Sequence, residues 1–144
     1  MKVLRTLVAF CAAAIVASFC GAVFHSQMVL ARLAALGAEI TPALRVTSTL
    51  DDMVGLIPAY PAVISIGLAV GFTVAFGVKR ILKPLAPIAY PLAGAAAVAL
   101  ALYLMSQQFY TTTPIAGARG TMGFLLQCLA GGLGGVVFAV LRPR

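Results

Sequence analysis

The chain has 144 residues, 62% of them hydrophobic and only 9% charged, with a formal net charge of +7. Soluble domains carry about a quarter of their residues as charges, so this composition excludes a water-soluble fold, and too little polar chain remains to build a separate soluble core. The positive charge would suit a nucleic-acid binder, but the basic residues fall at alternate ends of successive apolar stretches, as expected for one side of a membrane.

Crossing the hydrocarbon takes roughly 20 apolar residues in a helix. Four charge-free intervals are long enough: Thr6 to Ala31, Met53 to Val78, Pro84 to Ala118 and Gly120 to Leu141. They predict an all-α fold, an integral membrane bundle of four transmembrane helices with a short amphipathic outer helix. Residues 1–144 then form a single membrane domain. Lys2, Arg5, Lys79, Arg80, Lys83, Arg142 and Arg144 share one side. On the other, Arg32, Arg45 and Arg119 balance Glu39, Asp51 and Asp52. The excess places both termini in the cytoplasm. Usage rich in alanine, glycine and arginine points to a bacterial inner membrane.

The first transmembrane helix is expected over about 3–24. A secretory signal cut near Cys20-Gly21-Ala22 is the competing reading, but the apolar run from Leu7 to Val23 exceeds a usual signal core. Bulky Phe19 also spoils a lipoprotein site at Cys20. Cys11, Cys20 and Cys128 lie at lipid depth and read as small hydrophobes rather than a disulfide framework or reactive thiols.

The outer segment follows, at 25–55. Between Ser26 and Glu39, apolar residues recur at helical spacing and predict a short amphipathic helix on the membrane or the bundle. Thr41-Pro42 is expected to end it. Ser48-Thr49-Leu50-Asp51 has the form of a capping box, so the second spanning helix is expected to start near Asp51, cross at about 56–78 and bend at Pro58 and Pro61. A tight basic turn at Lys79-Arg80 and Lys83-Pro84 makes the next helix its antiparallel neighbour. The third span is expected at about 85–105, with Tyr90, Tyr103, Phe109 and Tyr110 near the headgroups. After Arg119 the fourth runs over about 121–141.

Every span carries small residues four apart, which let backbones approach in lipid, where no hydrophobic force drives helices together. Gly67, Gly71, Gly131 and Gly135 are the candidate seam, for internal packing or for a partner, and Gly131 to Gly135 is the best candidate for an external contact. Gln127 is the one long polar side chain deep in the fourth span. It needs a partner there, with Ser18, Ser65, Thr73 or a free carbonyl as candidates. With Ser65 and Thr73 it could instead line a polar path. Arg45, Asp51, Asp52 and Arg119 form an outer charged cluster near His25. That cluster lacks any accompanying nucleophile or metal-binding motif, and Asp51 and Asp52 are also explained as helix-start residues paired with Arg45 or Arg119. Four helices in so short a chain resemble small multidrug-resistance transporters in outline, yet the acidic residue of that family's first helix has no counterpart here.

With no charge at mid-membrane, the usual mark of coupled transport is missing. The chain is expected to be a non-enzymatic inner-membrane accessory, assembly or structural subunit without a cofactor. It would associate through small-residue helix seams with other membrane-protein subunits or with itself, amid membrane lipids and without nucleic acid. The alternative is a small transporter or channel acting as an oligomer. A lipid-modifying enzyme using Asp51, Asp52 and His25 is a third reading.

Overall fold

The structure, a computed structural model, describes residues 2–57, 59–81, 84, 87–108 and 116–142. Among them are five α-helices: α1 Lys2–Ala35, α2 Pro42–Leu56, α3 Ala59–Ile81, α4 Ala89–Gln108 and α5 Thr121–Leu141, with a 3₁₀ turn at Ala116–Ala118 leading into the last. Helices α1, α3, α4 and α5 are long and apolar enough to cross a bilayer. The chain is a multi-pass membrane protein. Its outward faces carry residues such as Ile66, Val70, Val74, Leu125 and Val140, all exposed, as lipid requires. Of the residues used above, Pro58, Lys83, Phe109, Tyr110 and Arg144 lie outside the described set.

Helix α5 is wedged between α1 and α4, while α3 packs chiefly on α4 and touches α1. Neighbours run antiparallel: Gly134 late in α5 meets Ala13 early in α1, and Gln127 early in α5 meets Gly21 further along α1. Glycine decides how close they come. A methyl group at Gly131 would overlap the carbonyl oxygen of Gly94, and one at Gly94 would overlap that of Gly131. Gly135 lies against the backbone of Tyr90 in the same way, and a methyl at Gly134 would sit 2.8 Å from the Ala13 carbonyl oxygen. Gly71 faces the Ala93 carbonyl, where a methyl would lie 2.9 Å away, and Gly67 faces that of Ala97 at 3.5 Å. All four seam glycines therefore serve packing within one chain. Gly131 to Gly135, expected as the best external contact, is filled by α4 on one side and α1 on the other. The reason is reciprocity, since α4 brings its own glycine to the crossing point.

Several boundaries differ from expectation. α1 does not stop near residue 24 but continues to Ala35, so Ser26 to Glu39 holds no separate helix. At 34 residues it is about 51 Å long, well beyond the roughly 30 Å hydrocarbon core. It ends in a Schellman motif: Ala38 N–H donates to the Leu33 carbonyl at 3.1 Å and Gly37 N–H to that of Ala34 at 3.0 Å. Gly37 occupies the left-handed position at φ 91°, which glycine adopts without strain. The short outer helix is α2. Thr41-Pro42 starts it rather than ending its predecessor, because the Thr41 hydroxyl accepts from Leu44 N–H at 3.2 Å and proline suits the first helical position. The supposed capping box at 48–51 is therefore mid-helix. Nor is the second span a single bent helix: α2 closes at Ile57 with extended backbone, and α3 starts anew at Ala59.

Candidate functional site

Two polar constellations stand out, one inside the bundle and one at the end where α1 overruns it. Inside, Gln127 is 1% exposed. Its Nε2 donates to the Gly21 carbonyl at 2.9 Å, and its Oε1 accepts from the Tyr60 hydroxyl. Both ends of the amide are thus satisfied where water is absent. Gly21 makes this possible, for a methyl there would overlap Tyr60 Oη and approach Gln127 Oε1 to 3.0 Å. The knot joins α1, α3 and α5.

None of the three side chains named as candidate partners holds Gln127. Ser18 Oγ is buried without a hydrogen-bond partner, Ser65 is half-buried, and exposed Thr73 donates back to the Ala69 carbonyl at 2.7 Å. Gln127, Ser65 and Thr73 therefore do not converge on one path. Tyr60 escaped notice because its ring, set between Pro58 and Pro61 in the sequence, reads as an interfacial aromatic. The available signal was Tyr60 with Gly21, a phenol and a gap at matching depth.

At the overrunning end, α1 and α2 form a hairpin. Gly21 and Tyr60 lie at one level through the knot. From Gly21 to the end of α1 the rise is about 21 Å, and α2 descends about 22 Å, so α2 returns alongside the extension of α1. Polar side chains hold it there. Ser26 Oγ donates to Asp52 Oδ2 at 2.6 Å, Arg45 Nη1 to Gln27 Oε1 at 2.8 Å, and Gln27 Nε2 to Thr49 Oγ1 at 3.2 Å. The side chains that α2 contributes, Arg45, Thr49 and Asp52, recur at helical spacing on one face.

Its other face is apolar and uncovered. Val46 is 61% exposed, Leu50 57% and Val54 73%, with Ile57 continuing the row. No residue of α2 is buried. This amphipathic helix is inside out relative to its chain: polar against α1, apolar outward.

The segment entering α5 is clamped on the same end. Gly117 N–H donates to His25 Nδ1 at 3.1 Å, and Arg32 Nη1 donates to the Ala116 carbonyl at 2.8 Å. With Nδ1 accepting, neutral His25 carries its proton on Nε2. His25 and Tyr60 also border an otherwise apolar cavity of about 210 Å³ beside Leu56 and Met105. Of the outer charged cluster, Asp52 meets Ser26 and Arg45 meets Gln27, while Asp51 and Arg119 are exposed. Two of its four members, Arg45 and Asp52, thus fasten the hairpin. Among the described residues no three His, Cys, Asp or Glu side chains gather into a metal-binding group.

No family model, curated protein or solved structure matches the chain. Function therefore has to be read from the chemistry of these side chains.

Proposed function

We propose that the chain is a non-enzymatic accessory or assembly subunit, which docks on another membrane protein through the α1–α2 hairpin. The Gly131 to Gly135 seam is filled within the chain, while Gly67 and Gly71 line an open groove of about 600 Å³ between α3 and α4, and the hairpin offers the more exposed apolar row. What supports this reading is the inverted amphipathic helix. Val46, Leu50 and Val54 form a continuous apolar row with none of the described residues over them, and contiguous exposed apolar surface marks interaction sites. Bulk solvent would be a costly neighbour for that row, whereas a partner subunit or the headgroup boundary beside it would not.

The test uses the full-length tagged protein extracted from its native membrane in a polymer disc. The wild type is expected in a complex of reproducible mass and composition. Val46→Ser, Leu50→Ser and Val54→Ser combined touch no buried residue, so the variant should accumulate normally yet lose the complex. An unchanged complex would remove the hairpin as the docking element, and a wild type that is always a bare monomer would remove the accessory reading altogether.

We further propose a bacterial inner-membrane location with both termini cytoplasmic. Its support is the charge pattern: the acidic residues Glu39, Asp51 and Asp52 all lie on the hairpin side, while Lys2, Arg5, Lys79, Arg80 and Arg142 lie at the opposite end of the spans, which matches retention of Lys and Arg on the cytoplasmic side.

A further inference from the structure

At the basic end, a cavity of about 480 Å³ opens between α1, α3, α4 and α5. Its walls are aromatic: Phe10, Phe72, Phe76, Tyr90 and Phe138 line it, with Arg142 among them. The rings brace one another. Phe72 and Phe138 stack at 4.4 Å between centroids, Tyr90 meets Phe138 edge-on at 5.0 Å and Phe72 at 5.7 Å, and Phe10 meets Phe72 at 6.3 Å. Such a wall is stiff and does not collapse to fill the space.

Arg142 lines this cavity, and Lys79 and Arg80 lie over rings of its wall. The Arg142 guanidinium lies 4.9 Å from the Tyr90 ring centre and the Lys79 ammonium 5.4 Å from the same centre. Lys79 and Arg80 also share the Phe76 ring, at 5.3 and 4.4 Å. Ring faces attract cations, but they do not cancel the repulsion between three like charges. The chain has three carboxylate side chains, Glu39, Asp51 and Asp52, and all belong to the hairpin segment at the far end. No carboxylate side chain of this chain therefore offsets these cations, and an anion from another molecule would be attracted to them.

We infer that this cavity binds an anionic phospholipid, its phosphate held between Arg142 and Lys79 and an acyl chain lying along the aromatic wall. Both halves of the ligand are specified by the site. Clustered cations beside spanning helices select an acidic headgroup, and Arg pairs with phosphate through parallel N–H donors. An apolar chamber next to them selects an amphiphile over free phosphate. The hydroxyls of Thr6 and Thr73, which also border the cavity, donate to the carbonyls of Lys2 and Ala69, leaving their lone pairs rather than their protons toward other groups. The charge selection thus rests on the cations alone. The inference concerns the end of the molecule remote from the hairpin and is independent of the docking proposal.

Delipidated full-length protein is examined by native mass spectrometry with phosphatidylglycerol, with phosphatidylethanolamine and with inorganic phosphate as probes. Phosphatidylglycerol should give a saturable one-to-one adduct at least about tenfold tighter than phosphatidylethanolamine. Arg142→Gln with Lys79→Gln should erase that preference, and Phe76→Ala, on a half-exposed wall residue, should weaken the adduct while leaving the preference in place. Equal binding of the two lipids by the wild type, an undiminished preference in the charge variant, or displacement by millimolar inorganic phosphate would each overturn the inference. The first comparison needs no variant, so a poorly folding substitution does not rescue the idea.

Discussion

Gln127 shows what a single polar residue can demand of its surroundings. An amide in hydrocarbon requires a donor for its oxygen and an acceptor for its nitrogen, and the fold supplies one from α3 and one from α1. Interhelical hydrogen bonds of this type contribute about 0.6 kcal/mol on average and up to about 1.7. Tyr60→Phe and Gln127→Leu are each expected to destabilise the protein. The double variant should lose less than the sum of the two by about 1 kcal/mol, because removing both partners leaves no orphaned group. Reversible unfolding in mixed micelles measures this coupling, and strict additivity would show the two side chains to be independent. Gly21→Ala is expected to be worse than either, since the added methyl overlaps the Tyr60 hydroxyl. The sequence made Gln127's need legible, but not its answer. Serine and threonine look like natural partners, yet Thr73 is already engaged by its own helix, as hydroxyls four residues past a carbonyl commonly are.

Among the elements, α5 was the easiest to place. Its predicted limits, about 121–141, coincide with the observed helix because Gly120 precedes it and Arg142 follows it, both with non-helical backbone. α3 runs to Ile81, past the expected end near 78. Lys79 and Arg80 need not leave the helix, because their charged ends both lie over the Phe76 ring, at 5.3 and 4.4 Å, whose face attracts cations. The hairpin was the hardest to read. A periodic pattern says that a segment is helical but not whether it joins the helix before it, and Thr41-Pro42 serves equally as a stop or a start. Only the Thr41 hydroxyl bond decides. Because α2 has no buried residue, its attachment rests largely on polar side chains, the Ser26–Asp52 bond foremost. Ser26→Ala or Asp52→Asn should therefore raise hydrogen exchange across 44–56 by about tenfold or more, the effect of losing roughly 1.4 kcal/mol, while α5 stays protected. Equal loosening of both helices would mean that the hairpin does not move as a unit of its own.

For the whole molecule, apolar intervals and small-residue rows were enough to predict a four-span bundle, since lipid leaves few other arrangements open. The order of helices in space was not predictable. It depends on which small faces meet, and every span has one. The polar asymmetry between the two ends leads to a topology prediction. A reporter fused after Arg144 should be active only as a cytoplasmic fusion, and one inserted at Gly37 only as an exported fusion. Adding lysines at 38 and 40 should erode that preference by weakening the charge bias. Reporter activity on the opposite sides would reverse the proposed orientation and move the cationic cavity to the outer leaflet.

The wedged position of α5 also sets a timetable. It is synthesised after α1, α3 and α4, yet the glycine and alanine faces of both α1 and α4 are shaped for it. Until α5 inserts, α1 and α4 would lack the helix that separates them and Tyr60 its Gln127 partner. A neighbouring nascent chain offers an identical α5, so two chains made close together can exchange this helix and close each other's slots. The swapped dimer would reuse the packing of α5 on α1 and α4, and dilution during synthesis, rather than any substitution, would be the means of avoiding it.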